Sequence, residues 1–134
     1  MPAVNISVDV GAPAPVYEQI VQQIHDAVKS GRLKPGAPLP TVRQLADDLA
    51  VNRNTVARAY RLLEEQQVIL TAGRKGTFVR DEATREVERV KTDDAQRALT
   101  RVVERMKASG LSRDQISAMF EQAVRGHRAK GYRS

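Results

Sequence analysis

Apolar residues recur at helical spacing in several separate stretches of this chain. Tyr17, Ile20, Val21, Ile24, Ala27 and Val28 form the first, the spacing of a helix with one buried face. Gly31 stops it, and Pro35-Gly36 reads as a turn. A second helix starts after Pro40, with Val42, Leu45, Ala46 and Leu49 as its apolar face. Thr41 can cap it, and Gln44 three positions on completes a capping box. Val51 falls in a tight turn, and Asn52 can cap a third helix whose buried face is Val56, Ala59, Tyr60 and Leu63.

Past Gln67 the period shortens. Val68-Ile69-Leu70-Thr71 and Thr77-Phe78-Val79 are β-prone runs around Ala72-Gly73-Arg74-Lys75-Gly76, which reads as a hairpin tip. From Asp81 a charged helical segment follows, with a broken apolar stripe of Val87, Val90, Ala95, Leu99, Val102, Val103 and Met106. Thr92-Asp93-Asp94 is expected to interrupt it, because Thr and Asp favour caps over helix interiors. Ser109-Gly110 ends the segment. Ser112 and Gln115 cap a last helix with Ile116, Met119, Phe120, Ala123 and Val124 on one face. Before the first helix, Val4, Ile6, Val8 and Val10 alternate weakly ahead of Gly11. That run is either a short strand or, as favoured here, an arm packed on a partner subunit. The fold expected is mainly α with a small β-hairpin: a winged helix-turn-helix followed by a helical dimerisation region. Residues 1–13 read as the arm, 14–80 as the winged helix-turn-helix and 81–134 as the helical region.

Charge sharpens this picture. The 134 residues carry 22 basic and 16 acidic side chains, a net +6 that favours a polyanionic partner. At about 100° per residue, Asn54, Ala57, Arg58 and Arg61 lie opposite the buried face of the third helix, with Arg53 at the edge. Arg pairs with guanine and Asn with adenine in the major groove, and helix-turn-helix proteins read bases from the N-terminal part of this helix. Asn52, Arg53, Asn54, Thr55 and Arg58 are therefore candidate base readers, with Arg43 placed to reach a base or phosphate. Thr41 and Asn52 begin two helices whose N-terminal amides suit phosphate. The Asn52-Arg53-Asn54-Thr55 run holds no acid, unlike an ordinary solvated face. Arg74, Lys75 and Gly76 at the hairpin tip suit a minor groove or phosphate contact, the glycines allowing close approach.

Other chemistry is poorly provided for. There is no cysteine, hence no disulfide or thiolate metal site, and a reducing cytosol fits. His25 and His127 have no partner at metal or triad spacing and read as solvated. The adjacent pairs Asp47-Asp48 and Asp93-Asp94 diverge on a helix. No enzyme, metal or cofactor is expected. No apolar run is long enough to span a bilayer, and the N-terminus lacks the pattern of a signal peptide. Nothing marks an effector pocket. Two lone amphipathic helices cannot bury both apolar faces well. Val102, Val103, Met106, Ile116, Met119 and Phe120 are thus expected to pair with a second copy.

Several short motifs occur in order at set separations. They are Pro15-Val16-Tyr17-Glu18-Gln19-Ile20, Leu33-Lys34-Pro35-Gly36 and Leu39-Pro40-Thr41-Val42-Arg43-Gln44-Leu45-Ala46. Val51-Asn52-Arg53-Asn54-Thr55-Val56, Ala59-Tyr60-Arg61-Leu62-Leu63-Glu64 and Gly76-Thr77-Phe78-Val79 follow. Over about residues 14 to 80 the chain resembles the DNA-binding domain of GntR-family bacterial transcriptional regulators. The resemblance implies base contacts from Arg43 and Arg53, and backbone or groove contacts from Thr55 and the wing tip. A second recognition-helix arginine of some members falls at Ala57, so that contact is absent. Only 54 residues follow Arg80, too few for a large effector-binding domain, and their helical character resembles the YtrA-type subfamily. The resemblance implies a homodimer binding double-stranded DNA at an inverted-repeat operator. The chain is read as a cytoplasmic, nucleoid-associated transcription factor and as a repressor, although the sequence does not give the direction of regulation. An architectural protein binding DNA without sequence preference is the alternative from another class, and a protein-interaction module is a third.

Overall fold

A computed structural model describes residues 5–126. The elements run α1 (Val16–Ser30), β1 (Pro38–Leu39), α2 (Val42–Leu49), α3 (Arg53–Glu65), β2 (Ile69–Thr71), β3 (Thr77–Val79), α4 (Ala83–Ala108) and α5 (Arg113–Arg125). The chain divides into two compact units, one extending to Lys91 and one beginning at Thr92.

In the first unit α1 and α2 pack on α3, and the strands close one side. Ile20, Ile24, Leu33, Val56, Leu63, Val68 and Ile69 are essentially without solvent contact. Each comes from the apolar face expected of its segment, or from the turn beside it. The β-structure is larger than the expected hairpin. Pro38 and Leu39 add a third antiparallel strand, so the sheet order is β1-β3-β2. A two-residue strand beginning with Pro has no periodicity to read. It exists because Ala37 and Gly36 exchange backbone hydrogen bonds with Val79.

Among the described residues of the N-terminal arm, Ser7 and Asp9 are bonded to their own chain. Gln23 accepts from the Ser7 amide and donates to the Ser7 carbonyl, and Gln19 does the same for Asp9. Two glutamine side chains on α1 thus stand in for a neighbouring strand, while Ile6 and Val8 pack on the core.

His25 is also placed differently from the solvated residue expected. It is buried, with Nε2 at 2.7 Å from Oε1 of Gln66 beyond the end of α3. His127 lies outside the described residues.

The turn of the helix-turn-helix carries strain. Ala50, after α2, has φ 56° and ψ 44°, a left-handed conformation that costs a residue with a Cβ. Glycine adopts it freely but loses more entropy on folding. The variant Ala50→Gly is therefore expected to gain about 0.5–1 kcal/mol of stability, seen as a higher urea midpoint at unchanged slope.

α4 runs unbroken through Thr92, Asp93 and Asp94, where the sequence predicts an interruption. The segment is exposed, and Arg97 pairs with Asp94 one turn away, so ordinary helix solvation and i,i+3 pairing offset weak propensity. The first turns of α4 contribute Ala83 and Val87 to the core of the first unit.

In the second unit α5 is held by its expected cap: Ser112 accepts from the Gln115 amide, and Gln115 accepts from that of Ser112. Ile116 is buried, whereas Val103 and Met106 are half-buried. Val102, Met119 and Phe120 remain 42%, 48% and 49% exposed. These residues, with Leu99 and Ala123, line an open apolar groove of about 940 Å³.

Candidate nucleic-acid interface

The helix-turn-helix is assembled by local caps. Thr41 Oγ1 accepts from the Gln44 amide at 3.0 Å, and Gln44 Oε1 accepts from the Thr41 amide. Asn52 Oδ1 accepts from the Asn54 amide at 2.7 Å. These bonds use part of the amide supply that the sequence offers to phosphate. They leave the backbone N–H groups of Val42 and Arg43 on α2, and of Arg53 on α3, at the open ends of the helices. The Thr41 hydroxyl proton and the Asn52 amide hydrogens remain able to donate, since each cap uses only an oxygen as acceptor.

Arg43, Asn52, Arg53 and Asn54 are all exposed, and Thr55 is half-buried. Neither α2 nor α3 carries an acid in its first turn. Positive dipole ends, cations and amides are thus presented without an opposing carboxylate.

A bond that sequence reasoning misses fixes α2 against α3. The Tyr60 hydroxyl donates to the Pro40 carbonyl at 2.6 Å, pinning the residue before the Thr41 cap to the middle of the recognition helix. Burial pushes the Tyr60 hydroxyl above the usual phenol range, so it stays a donor at any physiological pH. The available signal is a tyrosine on an apolar face, whose buried hydroxyl requires a partner.

Arg58 is placed apart from the other candidates. Its guanidinium carbon lies 3.9 Å from the centroid of the Tyr17 ring at the start of α1, a cation–π contact. That contact turns Arg58 toward α1.

The wing is a true antiparallel sheet with a short tip. Gly73–Lys75 form a single 3-10 turn, and Gly73 and Gly76 both have positive φ, 56° and 105°. Glycine permits this reversal at no steric cost, and Arg74 and Lys75 are left exposed. Among the described residues, no group of His, Cys, Asp or Glu could hold a metal ion. No described helix is long and apolar enough to cross a membrane.

This geometry is that of known regulators. Residues 16–79 match the family described as bacterial regulatory proteins, gntR family. The chain is 51% identical over 74 residues to the HTH-type transcriptional regulator Rv1152 of Mycobacterium tuberculosis, covering 55% of this chain and 61% of that protein. It is 36% identical over 102 residues to the HTH-type transcriptional repressor YtrA of Bacillus subtilis, covering 76% of this chain and 73% of that one.

Solved structures agree. A transcriptional regulator from Oenococcus oeni superposes with a TM-score of 0.64 at 32% identity, covering 87% of this chain and 97% of its own. YtrA from Sulfolobus acidocaldarius, a GntR-family transcription factor, gives 0.53 at 34% identity, covering 89% and 96%. The DNA-binding domain of AraR, crystallised with its operator ORX1, gives 0.50 at 26% identity, covering 55% of this chain and 93% of that domain. The fold, the caps and the matched motifs thus converge, and the chain belongs to the GntR family of bacterial transcriptional regulators, on its YtrA-like branch, and is not an enzyme.

Proposed function

We propose that the chain is a homodimeric repressor that reads an inverted-repeat operator in the bacterial cytoplasm, on the nucleoid. Residues 14–80 form the reading head and 81–134 the dimerisation region, with 1–13 as an arm. The observation that carries this reading is the first turn of α3, where Arg53 and Asn54 are exposed, correctly capped and free of acidic neighbours in that turn. Arg43, Arg53 and Asn54 take the base-reading role. Thr41, Asn52, Thr55, Arg74, Lys75 and Gly76 contact the DNA backbone, whereas Arg58, stacked on Tyr17, is left out of the reading set. The repressor role is supported by likeness to the Bacillus YtrA repressor, and operator binding by likeness to the AraR domain seen with its operator. The dimer is supported by the exposed apolar side chains Val102, Met119 and Phe120.

The test starts with genomic fragments recovered on the purified protein and sequenced. A gel shift on the recovered site then uses random duplex as competitor. Resistance to excess random DNA is expected of a specific repressor. Displacement by an equal amount of it identifies an architectural protein instead, and no salt-sensitive binding at all identifies a protein-interaction module.

Wing contacts behave differently from base contacts. The variant Lys75→Ala is expected to weaken all sequences about evenly and to make the slope of log K against log salt shallower by about 0.9 for each phosphate no longer neutralised. Titrations of specific and random duplexes at several salt concentrations measure both effects.

A further inference from the structure

We propose that Glu64 is a positioning residue that braces the wing against the recognition helix and so sets where Arg74 and Lys75 meet DNA. The inference deepens the reading of the wing as a DNA contact and rests on it. Glu64 lies in the last turn of α3, yet its Oε2 accepts from the backbone amide of Thr71, in β2, at 3.3 Å. Thr71 is the last strand residue before the tip.

Sheet geometry explains why that amide is available. Hydrogen-bonded pairs alternate along an antiparallel ladder. Arg80 donates to Val68 and Ala72 donates to the Gly76 carbonyl, so the intervening odd-numbered residues of β2 turn their N–H groups away from β3. Because β2 is an edge of the sheet, the Thr71 amide has no strand to receive it, and the Glu64 carboxylate does so. On the other side of the pair, Thr71 Oγ1 and Thr77 Oγ1 lie 3.2 Å apart, tying the same residue to β3.

The other end of this brace is well anchored. Tyr60 holds α3 to Pro40, and Gln66 holds its end to His25 on α1. Only Gln66, Gln67 and Val68 connect α3 to β2, and Gln67 is in a left-handed conformation at φ 64°. Glu64–Thr71 is a second link across that short connection, close to the cationic tip. An acidic side chain beside a DNA-facing wing is otherwise a liability toward phosphate. Used as an acceptor for the Thr71 amide, it fixes the end of the strand that leads into Arg74 and Lys75.

The test compares Glu64→Ala, which removes the acceptor, with Glu64→Gln, which keeps a side-chain oxygen without the charge. In the DNA-free full chain, Glu64→Ala is expected to speed hydrogen exchange of the Thr71 amide about tenfold, with core amides unchanged, while Glu64→Gln stays near wild type. On a duplex recovered by genomic pull-down with the wild-type chain, Glu64→Ala is expected to make the salt slope shallower by about 1–2 and to erase hydroxyl-radical protection at the wing positions. Guanine protection at the recognition-helix positions persists.

An unchanged Thr71 amide in Glu64→Ala overturns the brace. So does a Glu64→Gln variant that matches Glu64→Ala, which assigns the effect to charge, or an equal loss of wing and helix protections. A wild-type chain without salt-sensitive DNA binding overturns the functional reading of the wing, and with it the role given to Glu64, even if the exchange result holds.

Discussion

Replacing Arg53 by alanine is expected to weaken operator binding by about 1–3 kcal/mol in each half-site and to relax sequence preference at one base pair there. Arg53 is the first residue of α3, exposed, and follows an Asn52 cap whose side-chain oxygen is already committed to the Asn54 amide. The helix start is therefore held by Asn52 and not by Arg53, so the substitution removes the side chain proposed to read the base without loosening the element that carries it. A bidentate arginine–guanine pair discriminates by that amount because the alternative base leaves donors unpaired in a desolvated groove. In a symmetric dimer the loss occurs twice. Selection of binding sites from a randomised duplex pool, with wild type and variant in parallel, reports the effect. The expected outcome is one degenerate position per half-site. A uniform loss across all sequences instead assigns Arg53 to phosphate.

The second large effect is on assembly. The variant Phe120→Asp is expected to convert the chain to a monomer in sedimentation and to reduce operator affinity by about 10²–10⁴-fold, the avidity that linked half-sites supply. Phe120 is half exposed on α5, beside Met119 and across the groove from Val102 and Met106 of α4. A carboxylate there stays hydrated on a lone chain but would be desolvated in an apolar interface. Its cost falls on association rather than on folding, so unchanged helical content and an unchanged melting transition are part of the expected result. The matched control is Val10→Asp, at a residue 81% exposed in the first unit, which should leave the mass unchanged. A Phe120→Asp chain that remains dimeric places the interface elsewhere.

These two variants probe features that differ in how far they can be read from sequence. The caps at Thr41 and Ser112 are legible because a capping box is a reciprocal arrangement between residues three apart, and that at Asn52 because asparagine is a favoured N-cap; each forms as expected. The buried faces of α1, α2 and α3 are legible because helical periodicity marks the side turned to a core. The exposure of Arg43, Arg53 and Asn54 follows from the same periodicity taken on its other side.

The misses share one cause. His25 reads as solvated because nothing within a few residues calls for it, whereas Gln66, distant in sequence, holds it in the buried α1–α3 seam. The strand Pro38–Leu39 is defined by β3. The arm is paired by Gln19 and Gln23, which in sequence are merely polar helix residues. Arg58 and Tyr17 meet only once α1 and α3 cross. The unbroken course of α4 depends on an exposed segment being solvated and paired along its own helix.

By itself, then, the sequence determined α1, α2, α3 and α5, the caps at Thr41, Asn52 and Ser112, the basic and acid-free first turn of α3 and the family, because these rest on spacings of three and four residues and on charges that need no neighbour. Tertiary structure alone decided the third strand, the anchoring of the arm, the burial of His25, the orientation of Arg58 and the link from Glu64 to the wing. Each joins atoms from separate elements of the fold. A meeting of that kind is chosen by packing geometry, which local periodicity does not encode.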